Sequence, residues 1–254
     1  MNRPVRYFQM LIGMMLLPCF LLLSQERANV PDDATFGPGT PPVSLLKTTP
    51  PTVTGQWSSG AALPIPKKYH AVASHGDFMY IFGGVTTGNY YNAKSYKYSF
   101  MNNAWTAIAD FPAPKFLIGI TAVVDGKIYI MGGLENFGTS YKAIQDVYVY
   151  DPATNSYAEM TPMPFPQGQA ACGVIDNKIY VIAGTGATNT AFIKTVQVYD
   201  PATDSWGTST EYPVALKFLS AATVGNKIVA NCGFNNVNPQ MYYIADTYVG
   251  KIVG

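Results

Sequence analysis

An all-β chain, folded as a β-propeller of four-stranded antiparallel blades, is what the sequence predicts, and three observations predict it. Two anchors recur at intervals of about fifty residues: an aromatic at Trp57, Trp105, Tyr157 and Trp206, and a glycine pair or its variant at Gly83-Gly84, Gly132-Gly133, Ala183-Gly184 and Cys232-Gly233. Between the anchors lie short runs rich in Val, Ile and Tyr, punctuated by turn residues. Composition agrees: 18 Tyr, 13 Phe, 23 Gly and 19 Pro in 254 residues, with only 12% charged, suit many short strands joined by tight turns.

The elements follow in order from the N-terminus. Arg3 and Arg6 precede an apolar run from Met10 to Leu23, interrupted by Gly13 and Pro18. Residues 1–24 therefore read as a signal peptide or signal anchor, and the chain as secreted or extracytoplasmic, membrane-anchored by residues 10–23 if the segment is retained. Cys19 lacks the small residues expected before a lipid-modified cysteine. Residues 25–54 are rich in Pro, Thr, Gly and Ser without apolar periodicity, and read as an extended linker. Residues 55–254 form the repeat domain.

Each repeat spells the same order of signals. The second runs Ile120-Thr-Ala-Val-Val, meets Asp125-Gly126, and continues Lys127-Ile-Tyr-Ile-Met into its Gly pair, which predicts two strands around a two-residue hairpin turn. The other repeats place Gly76-Asp77, Asp176-Asn177 and Gly225-Asn226 at that turn, residues that tolerate positive φ. A variable polar loop follows, then a strand such as Val147-Tyr-Val-Tyr, a turn at Asp151-Pro152, and a last strand carrying the aromatic anchor. A lone four-stranded meander cannot cover both its faces, so the repeats must stack around an axis. The lone strand around Trp57 complements a fourth repeat that ends after its third strand, so the ring is expected to close by pairing that strand into the last blade; otherwise it is completed by another copy or further sequence.

The order hairpin, Ile-Tyr-Ile-Met-Gly-Gly, Val-Tyr-Asp-Pro, Trp resembles the kelch repeat over about 200 residues. Departures are Lys67, Lys115 and Lys217 where the kelch pattern often has Arg, Ala183 and Cys232 in place of the first Gly, and a fourth repeat without Asp-Pro. The resemblance implies a propeller, usually of six or seven blades. It also implies one of two broad roles, an interaction module or an exported enzyme such as a sialic-acid mutarotase or a copper oxidase.

With strands lettered a to d outward from the axis, the d-to-a connections and b-to-c loops emerge on one face, which collects the variable segments where binding residues concentrate. Its loops hold Tyr90 and Tyr91, Asn136 and Phe137, Asn189 and Phe192, and Asn235 and Tyr242. Lys67, Lys115, Gln167 and Lys217 precede the a strands at positions that read as equivalent, forming an expected ring at the channel mouth for an anionic or sugar ligand. Tyr and Asn in such loops suit recognition of a protein or a glycan, and equally suit packing and turn formation.

Catalysis has little to be built from. Asp125, Asp151, Asp176 and Asp200 have turn duties, and Glu135, in a b-to-c loop, is the one carboxylate singled out as a weak catalytic candidate. Only His70 and His75 are present, too few and too dispersed for zinc or an oxidase copper site, so no metal or cofactor is expected. Cys172 and Cys232 read as two packed thiols. A net charge of +1, scattered along the chain, gives no footprint for nucleic acid. The leading expectation is an exported non-catalytic module that binds a protein or glycan through its b-to-c loop face. The alternatives are a carbohydrate-active enzyme resembling sialic-acid mutarotase and a structural or self-associating module.

Overall fold

A computed structural model of the chain describes residues 57–112, 120–137, 140–188, 191–237 and 240–251. The expected signal segment and linker lie outside these. Four antiparallel sheets follow one another along the chain in a propeller arrangement. Blade 1 consists of β1 (Ala71–His75), β2 (Phe78–Phe82), β3 (Ser95–Ser99) and β4 (Ala104–Ile108), hydrogen-bonded in sequence order. Blade 2 begins with β5 (Ile120–Val124) and β6 (Lys127–Met131). A separate hairpin of β7 (Leu134–Phe137) and β8 (Ser140–Ala143) intervenes before β9 (Val147–Asp151) and β10 (Ser156–Met160) complete the blade.

Blade 3 contains β11 (Ala171–Ile175), β12 (Lys178–Thr185), β13 (Phe192–Asp200) and β14 (Ser205–Thr208). Its long middle strands run on as one hairpin, with a register shift between Ile182 and Gly184. Blade 4 has β15 (Ser220–Val224) and β16 (Lys227–Asn231), a hairpin of β17 (Phe234–Val237) and β18 (Gln240–Tyr243), and β19 (Thr247–Lys251), which pairs with β16. Among the described residues β19 is the last strand of its sheet. Closure by a strand around Trp57 involves residues up to 56, outside those described. From Trp57 to Gly60 the chain is not a strand, and Trp57 is 97% exposed.

Strand alternation makes each blade two-faced. In blade 2, Ile120, Ala122, Val124, Tyr129, Met131, Val147 and Val149 face forward and pack with Ile179, Val181 and Tyr199 of blade 3. The opposite face of blade 2, with Ile128, Ile130 and Tyr150, packs on Ala71, Ala73, Tyr80 and Phe82 of blade 1. Blades 3 and 4 meet likewise through Tyr180, Ile182, Val196, Ile228 and Ala230. The hydrophobic cores therefore lie between blades rather than within them. Strand β5 packs on β1, β11 on β5 and β15 on β11, and among the described residues no comparable packing joins β15 to β1.

The second residue of the pair is left-handed in every blade, and in blades 1, 3 and 4 a close backbone neighbour also demands glycine there. Gly84, Gly133, Gly184 and Gly233 have φ between +95° and +107°. A Cβ on Gly184 would lie 2.5 Å from the Gly168 carbonyl oxygen, and one on Gly233 2.8 Å from that of Lys217. The first position is left-handed as well, at φ +54° for Ala183 and +58° for Cys232, a region an L residue can occupy at modest cost. The sequence departures fall where the backbone permits them.

A repeated latch at the rim ties blades 2 and 3 each to the connection that leaves the preceding blade, and blade 1 to its own lead-in. Asn103, Asn155 and Asp204 sit at left-handed positions in the c-to-d turns. Each accepts a hydrogen bond from a tyrosine hydroxyl of its own blade: Tyr98 at 2.6 Å, Tyr150 at 2.9 Å and Tyr199 at 2.6 Å. The same oxygens accept the backbone N–H of Ala61, Ala109 and Thr161 from the preceding d-to-a connection. The anchor aromatic two residues on then donates to the carbonyl of that connection: Trp105 Nε1 to Ala61, Tyr157 Oη to Ala109 and Trp206 Nε1 to Thr161.

Cys172 donates to Thr121 O at 3.1 Å, and burial pushes its thiol up to about 12. Cys232 differs from the expectation of two packed thiols. Both thiols are free, and Cys232 is exposed, because it occupies the left-handed corner after β16 rather than a strand interior.

A loop-face aromatic cluster as the candidate functional site

The b-to-c segments begin at the left-handed pairs, which turn the chain out of the blade. In blades 2 and 4 it then re-pairs as the hairpins β7–β8 and β17–β18, so segments that read as variable polar loops are ordered by their own ladders. Blade 1 has a single 3-10 turn at Thr87–Asn89, after which Tyr90 is 73% exposed and Tyr91 pairs back to Val85.

Among the described residues of this face, an aromatic cluster forms between blades 3 and 4. Phe192 opens β13, Phe234 opens β17, and Phe218 lies in the lead-in to β15. The ring centroids of Phe192 and Phe234 are 5.6 Å apart, edge to face, and those of Phe218 and Phe234 are 5.5 Å apart, stacked. The Lys217 ammonium stands 4.2 Å from the Phe192 centroid and 5.8 Å from that of Phe234. Burial lowers the pKa of Lys217. A cation held against two aromatic rings away from water gains on the order of 2 kcal/mol from the ring quadrupoles. Next to Phe234, the buried Asn235 Oδ1 has no hydrogen-bond partner among the described residues. Exposed ring surface on Phe218, a desolvated cation and an unmet acceptor thus meet at this spot.

The expected lysine ring is resolved into two different positions. Lys68, Gly168 and Lys217 are equivalent, since their N–H groups donate to Val85, Thr185 and Phe234, and the next residues, Tyr69, Gln169 and Phe218, are all left-handed. Lys217 thus stands one residue later than Lys67 and Gln167, a correction to the equivalence read from the sequence. Blade 1 carries lysine at both positions, Lys67 and Lys68, whereas blade 4 has Leu216 at the first and Lys217 at the second, so the lysines alone do not fix the register.

Lys67 and Gln167 share a local task. Lys67 Nζ donates to Gly83 O at 3.0 Å, to Asn92 Oδ1 at 3.2 Å and to Lys94 O. Gln167 Nε2 donates to Ala183 O at 2.8 Å and Thr195 O at 3.3 Å, and its Oε1 accepts from Gln197. Both tie the lead-in to the b and c strands. Burial lowers the Lys67 pKa to about 8, against a smaller opposing influence of Asp110.

Glu135 lies on β7 opposite Lys142 of β8, an arrangement suited to cross-strand charge pairing. Asn136 and Phe137 are placed on β7 and Tyr242 on β18 by their backbones, while their side chains, with Lys115 and Asn189, lie outside what the structure describes. Of the sequence-predicted residues, Phe192, Lys217 and Asn235 are brought into one neighbourhood; Lys67, Tyr90 and Tyr91 belong to blade 1. Phe218 and Phe234 were missed. The dipeptide Lys217-Phe218 before the β15 hairpin, and the aromatic directly after Cys232-Gly233, were the available signals.

Comparison with known proteins follows the same lines. The family model described as the KLHDC2/KLHL20/DRC7 Kelch-repeats domain matches residues 43–184, and the Kelch motif model matches residues 168–206. The Kelch-like protein terF of Aspergillus terreus is 33% identical over 162 residues, covering 58% of this chain and 34% of terF. The N-acetylneuraminate epimerase of Yersinia enterocolitica is 28% identical over 128 residues, covering 49% of this chain and 30% of the epimerase. The chain thus spans about a third of the length of these relatives. Among solved structures, that of YjhT superposes with a TM-score of 0.58 at 20% identity, covering 74% of this chain and 66% of YjhT.

Proposed function

From the premise that this chain belongs to the kelch-repeat family, we propose that it is an exported, non-catalytic binding module that holds a protein partner on its b-to-c loop face. The observation that carries the reading is the cluster of Phe192, Phe218 and Phe234 around the buried Lys217. Aromatic surface beside a desolvated cation and an unpaired amide acceptor suits an acidic or carbonyl-rich segment flanked by apolar residues. Kelch relatives fit an interaction role, and the N-terminal sequence supports export.

The test compares wild-type protein with the Phe192→Ala/Phe218→Ala variant as bait against extracellular protein fractions, with a glycan array alongside. Loss of a specific protein interaction in a variant whose unfolding stays cooperative is the expected result. Interactions unchanged by the substitutions would overturn the reading, and signals confined to the array would transfer the site to glycans. Cell fractionation with intact-mass measurement tests export, which predicts protein outside the cytoplasm, either cleaved near residue 24 or retained through residues 10–23.

A sugar-active reading has one specific support, the similarity to an N-acetylneuraminate epimerase. It predicts faster anomer exchange of N-acetylneuraminate by NMR, abolished in Glu135→Gln. Exchange at the buffer rate would dispose of it.

A further inference from the structure

We propose that Gln169 is a further binding residue of the loop-face cluster, a fixed carboxamide donor that receives the carboxylate of an acidic side chain in a bound protein segment. The proposal rests on the reading of that cluster as a protein-binding site and names the chemistry the site selects. Two connections set Gln169 among the aromatic residues. Its carbonyl oxygen accepts the N–H of Phe218 from the lead-in of blade 4 at 2.9 Å. Its Oε1 accepts the hydroxyl of Thr185, the residue paired with Phe192 across the β12–β13 ladder. Gln169 is thus bonded to the segments that carry the Phe192 and Phe218 rings, and both rings pack on Phe234. The Thr185 contact also orients the amide, which has one acceptor oxygen and one NH2 donor. Thr185 is fully buried and takes the oxygen, so Nε2 is the end left over, without a hydrogen-bond partner among the described residues.

Gln167, two residues earlier, shows the contrast. It is fully buried and spends both ends of its amide inside the fold, Nε2 on Ala183 O and Thr195 O and Oε1 on Gln197. Gln169 is half-buried and spends only its oxygen. Its backbone is left-handed at φ +52°, where glycine would sit without strain. Tyr69 and Phe218, its equivalents, are left-handed too and carry different side chains, so the lead-in fixes the backbone and leaves the side chain to another task. The charge of the ligand follows from the neighbours. The Lys217 ammonium lies against the Phe192 and Phe234 rings, in surroundings where an anion gains more than it would in water. A carboxylate that accepts from Gln169 makes a charge-assisted bond, stronger than that of a neutral carbonyl. Asn235 Oδ1, next to Phe234, is an acceptor that opposes a bare anion but suits a main-chain N–H. Carboxylate, main-chain N–H and an apolar group for the Phe218 ring occur together in an acidic peptide segment.

The experiment passes a displayed library of random peptides over the immobilised full chain and reads enrichment by sequencing. Wild-type protein is expected to favour Asp and Glu over Asn and Gln beside an apolar residue by about tenfold or more, the worth of one charge-assisted hydrogen bond. Gln169→Leu should lower that ratio several-fold, and Gln169→Glu should turn it in favour of the amides. Thr185→Val keeps Gln169 but frees its carboxamide to rotate, and should lower the ratio as well; each variant is scored only if its unfolding stays cooperative. The same acid preference in wild type and Gln169→Glu would overturn the proposal and leave the binding site standing, provided Phe192→Ala/Phe218→Ala still abolishes enrichment. Equal enrichment of acids and amides by wild type would overturn it too. No enrichment by wild type over the bare support would sink the binding reading itself, and the role of Gln169 with it.

Discussion

At the residue scale, the Gly pair separates tolerance from necessity. Gly184 combines φ +103° with a carbonyl oxygen 2.5 Å from where a Cβ would sit, whereas Ala183 beside it carries a methyl at φ +54°. Gly184→Ala is expected to cost about 2–3 kcal/mol, read as a lower midpoint in urea unfolding. Lys67 makes a second prediction. Its ammonium is desolvated, so its amine should be acylated by a dilute anhydride with a midpoint near pH 8, resolved by peptide mass spectrometry, and Lys127 serves as the exposed comparison. The lowered value also sets a sign. The burial cost is fully present below pH 8 and is relieved as pH rises towards 10.5, so this group makes the fold more stable with rising pH in that window. Its repeat partner Gln167 was legible as a lead-in residue. Its complete burial was not, because nothing in the sequence shows that a polar side chain will be enclosed by the carbonyls of two strands.

At the element scale, the c-to-d turn does more than reverse the chain. Asp204 accepts from Tyr199 and from the Thr161 N–H, and although desolvation raises its carboxyl, these hydrogen bonds outweigh it and hold the pKa below the usual 3.8. Asp204→Ala leaves two donors without their acceptor and is expected to lose about 1.5–3 kcal/mol. Asp204→Asn, which reproduces Asn103 and Asn155, should lose less. The stabilisation from the charged form is present above pH 3.8 and lost as pH falls through the lowered folded value, so the Asn variant should show a flatter acid limb in thermal melts from pH 5 to 2. The turns themselves were readable from Asp-Pro and the residues that tolerate positive φ. The partnership of Tyr150 with Asn155, five residues apart across one turn, is also present in the letters, as the recurring spacing of Tyr98 and Asn103 and of Tyr199 and Asp204 shows. The hairpins β7–β8 and β17–β18 were not readable, since their residues lack the apolar alternation that marks a half-buried strand.

At the scale of the whole molecule, the described residues are held by three interfaces between four sheets. Ile128 is fully buried between blades 1 and 2, so Ile128→Ala should cost about 2–5 kcal/mol. Terminal and internal sheets should also separate in native-state hydrogen exchange. Amides of β15 and β19, each covered mainly on one face, should exchange faster than those of β6 and β12, covered on both. Equal protection across all four blades would contradict that picture. The propeller architecture was visible from the fifty-residue periodicity because stacking forces every blade to repeat the same apolar positions. The site was only half visible, since Phe218 and Phe234 depend on a one-residue register that the lead-in backbone sets and that Pro-Lys dipeptides disguise.

The left-handed corners at Gly132-Gly133 and Cys232-Gly233 place the emerging hairpins in sheets of their own, no longer sharing a ladder with the blade beneath. They act as insulating joints. A residue inserted into β7–β8 or β17–β18 changes the register of two short strands and leaves that of β5, β6 and β9, or β15, β16 and β19, untouched. Blade 3, whose β12 and β13 continue through the corner as one ladder, transmits such a change inward. The rim of this protein is thus unevenly free to vary, open to rewriting over blades 2 and 4 and tied to the scaffold over blade 3.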